Sequence, residues 1–158
     1  MITRPGSRAR SSKASPSGLF IILQKKNKMD IRSSFSTDET LENEGKVFPL
    51  SKTASIKVAR SGNDKYVEML RNEMKEAQLD LMGEKEANEV AEKILIRVMA
   101  STILLGWSGV KEGDVEVPYS AKKAEEYLSI KDFRKKVSGL ADNFEAFRVK
   151  AEAEQKNA

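Results

Sequence analysis

The run from Val90 to Trp107, VAEKILIRVMASTILLGW, constrains the fold more than any other stretch of the chain. It is apolar nearly all round, which marks a helix enclosed by protein rather than one lying on a surface. A membrane span is the rival reading of so apolar a segment. Glu92, Lys93 and Arg97 interrupt it, however, and only about ten uncharged residues follow Arg97, short of the roughly 20 that a bilayer requires. The segment is therefore predicted to be a buried central helix that ends in a turn at Trp107, the single tryptophan. An acidic loop, KEGDVEVP, follows, and Ser120 is placed to cap the next helix after Pro118. The remaining elements have to pack around this corner.

Two amphipathic helices flank it. Tyr66, Met69, Leu70, Met74, Ala77 and Leu81 recur at steps of three and four. The methionines among them read as core filler in preference to a groove lining. Gly83 ends that helix, and EKEANE opens the central one with carboxylates at the positive end of its dipole. From Ile130 onward, Phe133, Val137, Leu140, Phe144, Phe147 and Ala151 form one stripe about six turns long.

Ahead of the helices, KVFPL and SIKVAR alternate apolar and polar positions, as two short strands with one buried face do. A turn around Ser51 to Ala54 joins them, and Pro49 makes the first an edge strand. The expected class is mainly α with α+β character: an N-terminal β-hairpin followed by a four-helix cluster. The expected organisation is a disordered basic tail over 1–28, a polar linker over 29–45, a single α+β domain over 46–152 and a flexible tail over 153–158.

Charge separates the first of these segments from the rest. The chain carries 28 basic and 24 acidic side chains, a formal net charge of +4. Seven of the basic groups and none of the acids lie in residues 1–28, so 21 face 24 from Met29 onward, a net of −3. A transit peptide, or a basic arm for nucleic acid or anionic lipid, would have the composition of residues 1–28. Because Met29 opens MDIRSSFSTDETLENEG in the manner of a natural start, residues 1–28 are read instead as an overextended gene start or a dispensable tail. LFIIL, at 19–23, is too short for a signal-peptide core.

The chain has no cysteine and no histidine, so thiol nucleophiles, imidazole bases and ordinary zinc sites are excluded. There is no phosphate loop and no GxGxxG, and GWSG is not the GxSxG nucleophile elbow. Glu112, Asp114 and Glu116 alternate around Gly113 but lack the ligand order of a calcium loop. The expectation is a non-enzyme with no catalytic, metal-binding or cofactor-binding residues and no cofactor. What remains is interaction. Trp107 and Tyr119 flank the Gly-containing loop as an aromatic anchor would, or else plug the end of a helix pair. The terminal stripe is either core or a docking face. The candidate partner-binding residues are Trp107, Val110, Tyr119, Phe133, Val137, Leu140, Phe144 and Phe147.

One resemblance gathers these features. KVARSGN (Lys57 to Asn63) leads into an amphipathic helix, then come ILLGWSGV (Ile103 to Val110), an acidic Gly loop, VPYS (Val117 to Ser120), a short helix, and a final helix with DF and NFEAF. In this order the chain resembles the tail assembly chaperones of long-tailed bacteriophages over roughly residues 35–150. The resemblance implies a non-catalytic factor of the host cytoplasm that binds and solubilises the tape-measure protein and is absent from the mature virion. It also implies a second copy of the chain, or a frameshifted longer form of it, as a further partner; the net of −3 from Met29 onward and the charges within the central apolar run lead to the expectation of no specific nucleic acid and no membrane. The alternative is a structural virion component of the tail or connector.

Overall fold

The computed structural model describes residues 28–149. The expectations for the basic segment, apart from Lys28, and for 153–158 lie outside them. The chain divides into two units, Met1–Ser36 and Thr37–Ala158. In the first, one short helix is described, α1 (Ile31–Ser34), capped by the Asp30 carboxylate, which accepts from the Arg32 amide at 3.1 Å.

The second unit begins with α2 (Glu39–Glu44), in a segment whose polarity suggested a linker. Asp38 caps it by accepting from the amides of Thr40 (2.9 Å) and Leu41 (3.2 Å). Leu41 packs on the core, and the carbonyl of Glu42 accepts from the Arg60 amide, so tertiary contacts hold this turn helical. Strands β1 (Lys46–Pro49) and β2 (Ser55–Val58) follow and pair antiparallel. In their turn the Ser51 hydroxyl accepts from the amides of Thr53 and Ala54.

Next come α3 (Asp64–Ala77), a 3-10 turn (Leu79–Leu81) and the long α4 (Glu84–Thr102). Asn63 caps α3, and its amide nitrogen also donates to the carbonyls of Arg60 (2.8 Å) and Thr102 (3.1 Å), tying the start of α3 to the end of α4. The chain continues through β3 (Leu104–Ser108), the small ribbon of β4 (Lys111–Glu112) and β5 (Val115–Glu116), α5 (Ala121–Leu128), α6 (Lys131–Ala141) and α7 (Phe144–Phe147).

An N-terminal hairpin followed by a four-helix cluster is not what forms. Helices and strands are mixed along the chain: α2 precedes the hairpin, and β3, on the far side of α4, adds to it as a third strand in the order β1-β2-β3. ILLGWS extends beyond the central helix as a strand because β2 would otherwise leave its free edge unpaired, and a two-stranded hairpin alone is marginal. Trp107 therefore lies within a strand, not at a helix end. The register places Trp107 opposite Ile56, which faces Phe48 on its other side, so the three share one face of the sheet. Leu105 is the extra residue of a bulge between the Lys57–Gly106 and Val58–Leu104 pairs.

The terminal stripe is also not one helix. It breaks at Asp142 and Asn143, poor helix formers, and α6 ends where the carbonyl of Ala141 accepts from the Ser61 amide at 3.0 Å. Arg148 then bridges antiparallel to Thr37. Ile56, Val58, Ile103, Leu104, Leu128, Val137 and Phe147 are the large, fully enclosed members of the core. Each such side chain contributes about 1.5–3 kcal/mol relative to exposure.

One glycine is demanded by packing. Gly109, with φ +71°, lies so close to the β1–β2 turn that a Cβ there would meet the Thr53 carbonyl oxygen at 1.9 Å. The second glycine of GWSGV is thus fixed by contact with a turn more than fifty residues earlier in the chain, counting from Thr53 to Gly109.

Candidate functional site

β3 and the β5–α5 connection bring Trp107 and Tyr119 together. Their rings meet edge to face with centroids 4.9 Å apart, and Tyr127 of α5 approaches Trp107 at 5.3 Å. The Trp107 indole donates to the carbonyl of Val117 at 2.8 Å, which holds the strand against the loop leading to α5. The Tyr119 hydroxyl donates to the carbonyl of Leu104 at 2.8 Å, with that of Ala100 at 3.3 Å, at the end of α4. Burial pushes its pKa up. Each polar tip of this pair satisfies a backbone carbonyl, as half-buried aromatics do. These bonds fasten β3 and the end of α4 to the loop that leads into α5.

A polar latch lies beside it. Glu112 of β4 accepts from the Tyr127 hydroxyl (2.8 Å) and from the Lys123 ammonium (3.0 Å), and Lys123 also pairs with Glu126 (2.9 Å). The Tyr127 hydrogen bond, then Lys123, holds the Glu112 carboxyl below its ordinary pKa. The hydrogen bond to Glu112 raises that of Tyr127, and Glu126 and Glu112 raise that of Lys123. Asp114 and Glu116, which alternate with Glu112 in sequence, make no ion pair with any described residue. No group of three or more carboxylates suited to a metal ion occurs among the described residues.

The eight residues singled out from sequence fall into different surroundings. Val137 and Phe147 are fully enclosed. Phe133 and Leu140 lie partly buried against the core, as do Trp107 and Tyr119, while Val110 and Phe144 are half-buried. Most of the terminal stripe is thus consumed by the protein's own core, with Phe147 packed on Phe48 at 6.2 Å and the Arg60 guanidinium over its ring at 5.7 Å.

The stripe that sequence assigned to the core of the first amphipathic helix is only half-covered, and Leu81, its last member, is exposed. In α3, the 3-10 turn and the first part of α4, no residue from Asp64 to Lys93 is buried. These segments form a helical arm in which α3 packs on α4, connected through Gln78 in the left-handed conformation and the 3-10 turn. Its apolar positions are half-covered, and Leu81 at the tip is 75% exposed. Amphipathic spacing specifies which residues share a face but not whether anything sits on that face.

A family model described as YdaY prophage protein matches residues 61–157. The chain belongs to the YdaY prophage protein family. It is, accordingly, a phage-derived protein. No curated protein and no solved structure matches it. The region shared with the YdaY family starts at Ser61, so it takes in the arm, β3, the aromatic corner and the latch, and leaves β1 and β2 outside. No helix among the described residues is long and apolar enough to cross a membrane.

Proposed function

We propose that this YdaY-family protein is a non-catalytic tail assembly chaperone, which binds the tape-measure protein and keeps it soluble during tail morphogenesis. The observation that carries the reading is the helical arm, whose apolar side chains stand at core spacing yet are only half-covered. A long helical tape measure presents apolar stripes that aggregate unless something shields them. A folded domain with half-covered apolar side chains along a helical arm is suited to shielding them. The prophage family and the sequence resemblance in ILLGWSGV and VPYS support the same reading. On it, the protein acts in the host cytoplasm without a cofactor, contacts neither nucleic acid nor membrane, and is left out of the finished particle.

Co-expression with the tape-measure protein of the same prophage tests this. The expected result is that the tape measure is recovered soluble, and in complex, only when this chain is present. A tape measure that is soluble alone and does not co-purify overturns the reading. So does stoichiometric recovery of this chain from purified virions, which would make it a structural component of the tail or connector.

A further inference from the structure

We propose that the outer part of the helical arm, Leu70 to Ala91, is a docking face for a cationic amphipathic helix. The inference deepens the chaperone reading and rests on it, by naming the surface and the chemistry of the segment it takes.

Three observations combine. The first is incomplete coverage: Leu70, Met74, Leu79, Met82 and Val90 are half-covered, and Leu81 is 75% exposed. Two of these six are methionines, whose unbranched and polarizable side chains adapt to varied partner surfaces. The second is charge. Residues 70–91 hold six acidic and three basic side chains, a net of −3, equal to the net of the whole chain from Met29 onward. The third is that the acids are available. Glu73 pairs with Arg97, but Glu76, Asp80, Glu84, Glu86 and Glu89 are exposed and form no ion pair with any described residue.

Half-covered apolar side chains interspersed with unpaired carboxylates over Leu70 to Ala91 complement a helix with apolar residues on one face and lysine or arginine on its flanks. The same charge selects against the other occupants. Two arms brought together as a homodimer would set −3 against −3, and an anionic lipid surface would be repelled as well.

The probe is a fluorescein-labelled synthetic helix of about 18 residues with leucine at i, i+3, i+4 and i+7 spacing and lysine elsewhere, beside a twin with glutamate in place of lysine. Binding to the full chain is followed by anisotropy as salt is varied. The lysine peptide is expected to bind, and the glutamate peptide to bind at least about tenfold more weakly. Met74→Asp and Leu81→Asp are each expected to weaken the lysine peptide by about tenfold, because they remove apolar contact. Val115→Asp, on the 70% exposed Val115 of the β4–β5 ribbon, should leave binding unchanged.

The aspartates add negative charge, so attraction by charge alone would tighten in these variants. Tightening, no change, or equal binding of both peptides overturns the proposal. Concentration-dependent self-association in sedimentation that Leu81→Asp abolishes also overturns it, by assigning the face to a second copy. Circular dichroism establishes that both variants are folded. The tape-measure co-expression is read separately: if the wild-type chain solubilises its partner but does not bind the lysine peptide, the chaperone reading stands and this inference fails.

Discussion

Gly109→Ala offers a direct test of how β3 is seated against the β1–β2 turn. Two costs are separable. Placing a side chain at φ +71° costs roughly 1–2 kcal/mol for the left-handed backbone alone. The new Cβ would also lie 1.9 Å from the Thr53 carbonyl oxygen and 2.9 Å from its carbonyl carbon. Real Cβ contacts do not go below 3.0 Å, so β3 and the turn must separate by about 1.1 Å, the difference between 3.0 and 1.9 Å. Overpacking of this kind typically costs 1–3 kcal/mol, which brings the sum to about 2–5 kcal/mol. Gly113→Ala is the control. Gly113 has φ +62° but nothing within 4 Å of the added atom, so it carries the backbone cost without the clash. Urea unfolding, followed by both Trp107 fluorescence and far-UV circular dichroism, gives the two midpoints at a common m value. The expected order is wild type, then Gly113→Ala, then Gly109→Ala, with the two variants separated by at least about 1 kcal/mol. Equal destabilisation would refute the reasoning, since it would mean that the strand and the turn are not held in contact.

Three further outcomes follow from the core, the α3 cap and the latch. Phe147→Ala empties a fully enclosed site between Phe48 and Arg60 and should cost about 3–5 kcal/mol in urea unfolding; a loss below about 1 kcal/mol would place α7 outside the cooperative core. Asn63→Ala removes a helix cap and a donor to two carbonyls, for about 2–4 kcal/mol, whereas Asn63→Asp keeps the cap acceptor and should recover part of that loss; no difference between the two would deny the cap its share. For the latch the signs are opposite in acid and alkali. The lowered pKa of Glu112 means that its contribution is present above the ordinary carboxylate range and is lost as pH falls through the lowered value. The raised pKa of Tyr127 means that its contribution is present below 10.0 and is lost as pH rises through the raised value. Near-UV circular dichroism of the Trp107–Tyr127 pair should therefore change in acid for the wild type but not for Glu112→Gln, and the same acid transition in both would sink the assignment.

Local chemistry made part of this fold legible in the sequence. Ser120 caps a helix through a contact within a few residues, Pro49 lies in an edge strand, and the turn around Ser51 to Ala54 joins β1 and β2. β3 was not legible, because a short apolar run such as ILLGW suits a helix end as well as a strand, and its strand character comes from β2, with Ser55 paired to Ser108. The break between α6 and α7 was hidden for a related reason. The spacing of Val137, Leu140, Phe144 and Phe147 continues across it, while the bond from the Ser61 amide to the Ala141 carbonyl comes from a distant part of the chain. At the candidate site the sequence placed Trp107 and Tyr119 on either side of one loop, but not their edge-to-face contact, which depends on β3 pairing with β2. That the α6–α7 stripe has two fully buried members, Val137 and Phe147, while the α3 stripe has none was not legible, since both show the same periodicity and differ only in what packs on them.

The antiparallel bridge between Thr37 and Arg148 has a topological consequence. The Asp38 amide donates to the carbonyl of Phe147 at 2.7 Å, and the Lys46 ammonium to that of Ala146 at 3.2 Å, so the two ends of the described part of this unit are fastened to each other. From Thr37 to Arg148 the chain is in effect a closed loop. Joining Arg148 to Thr37 through a short linker and opening new ends at Gly83 gives a circular permutant with the same sheet and core, because the cut falls between two helices at a residue with open space around it. Closure at this seam also comes last during synthesis, when the segment around Phe147 has left the ribosome, so the sheet and the α2 turn wait on the far end of the chain for their final contacts.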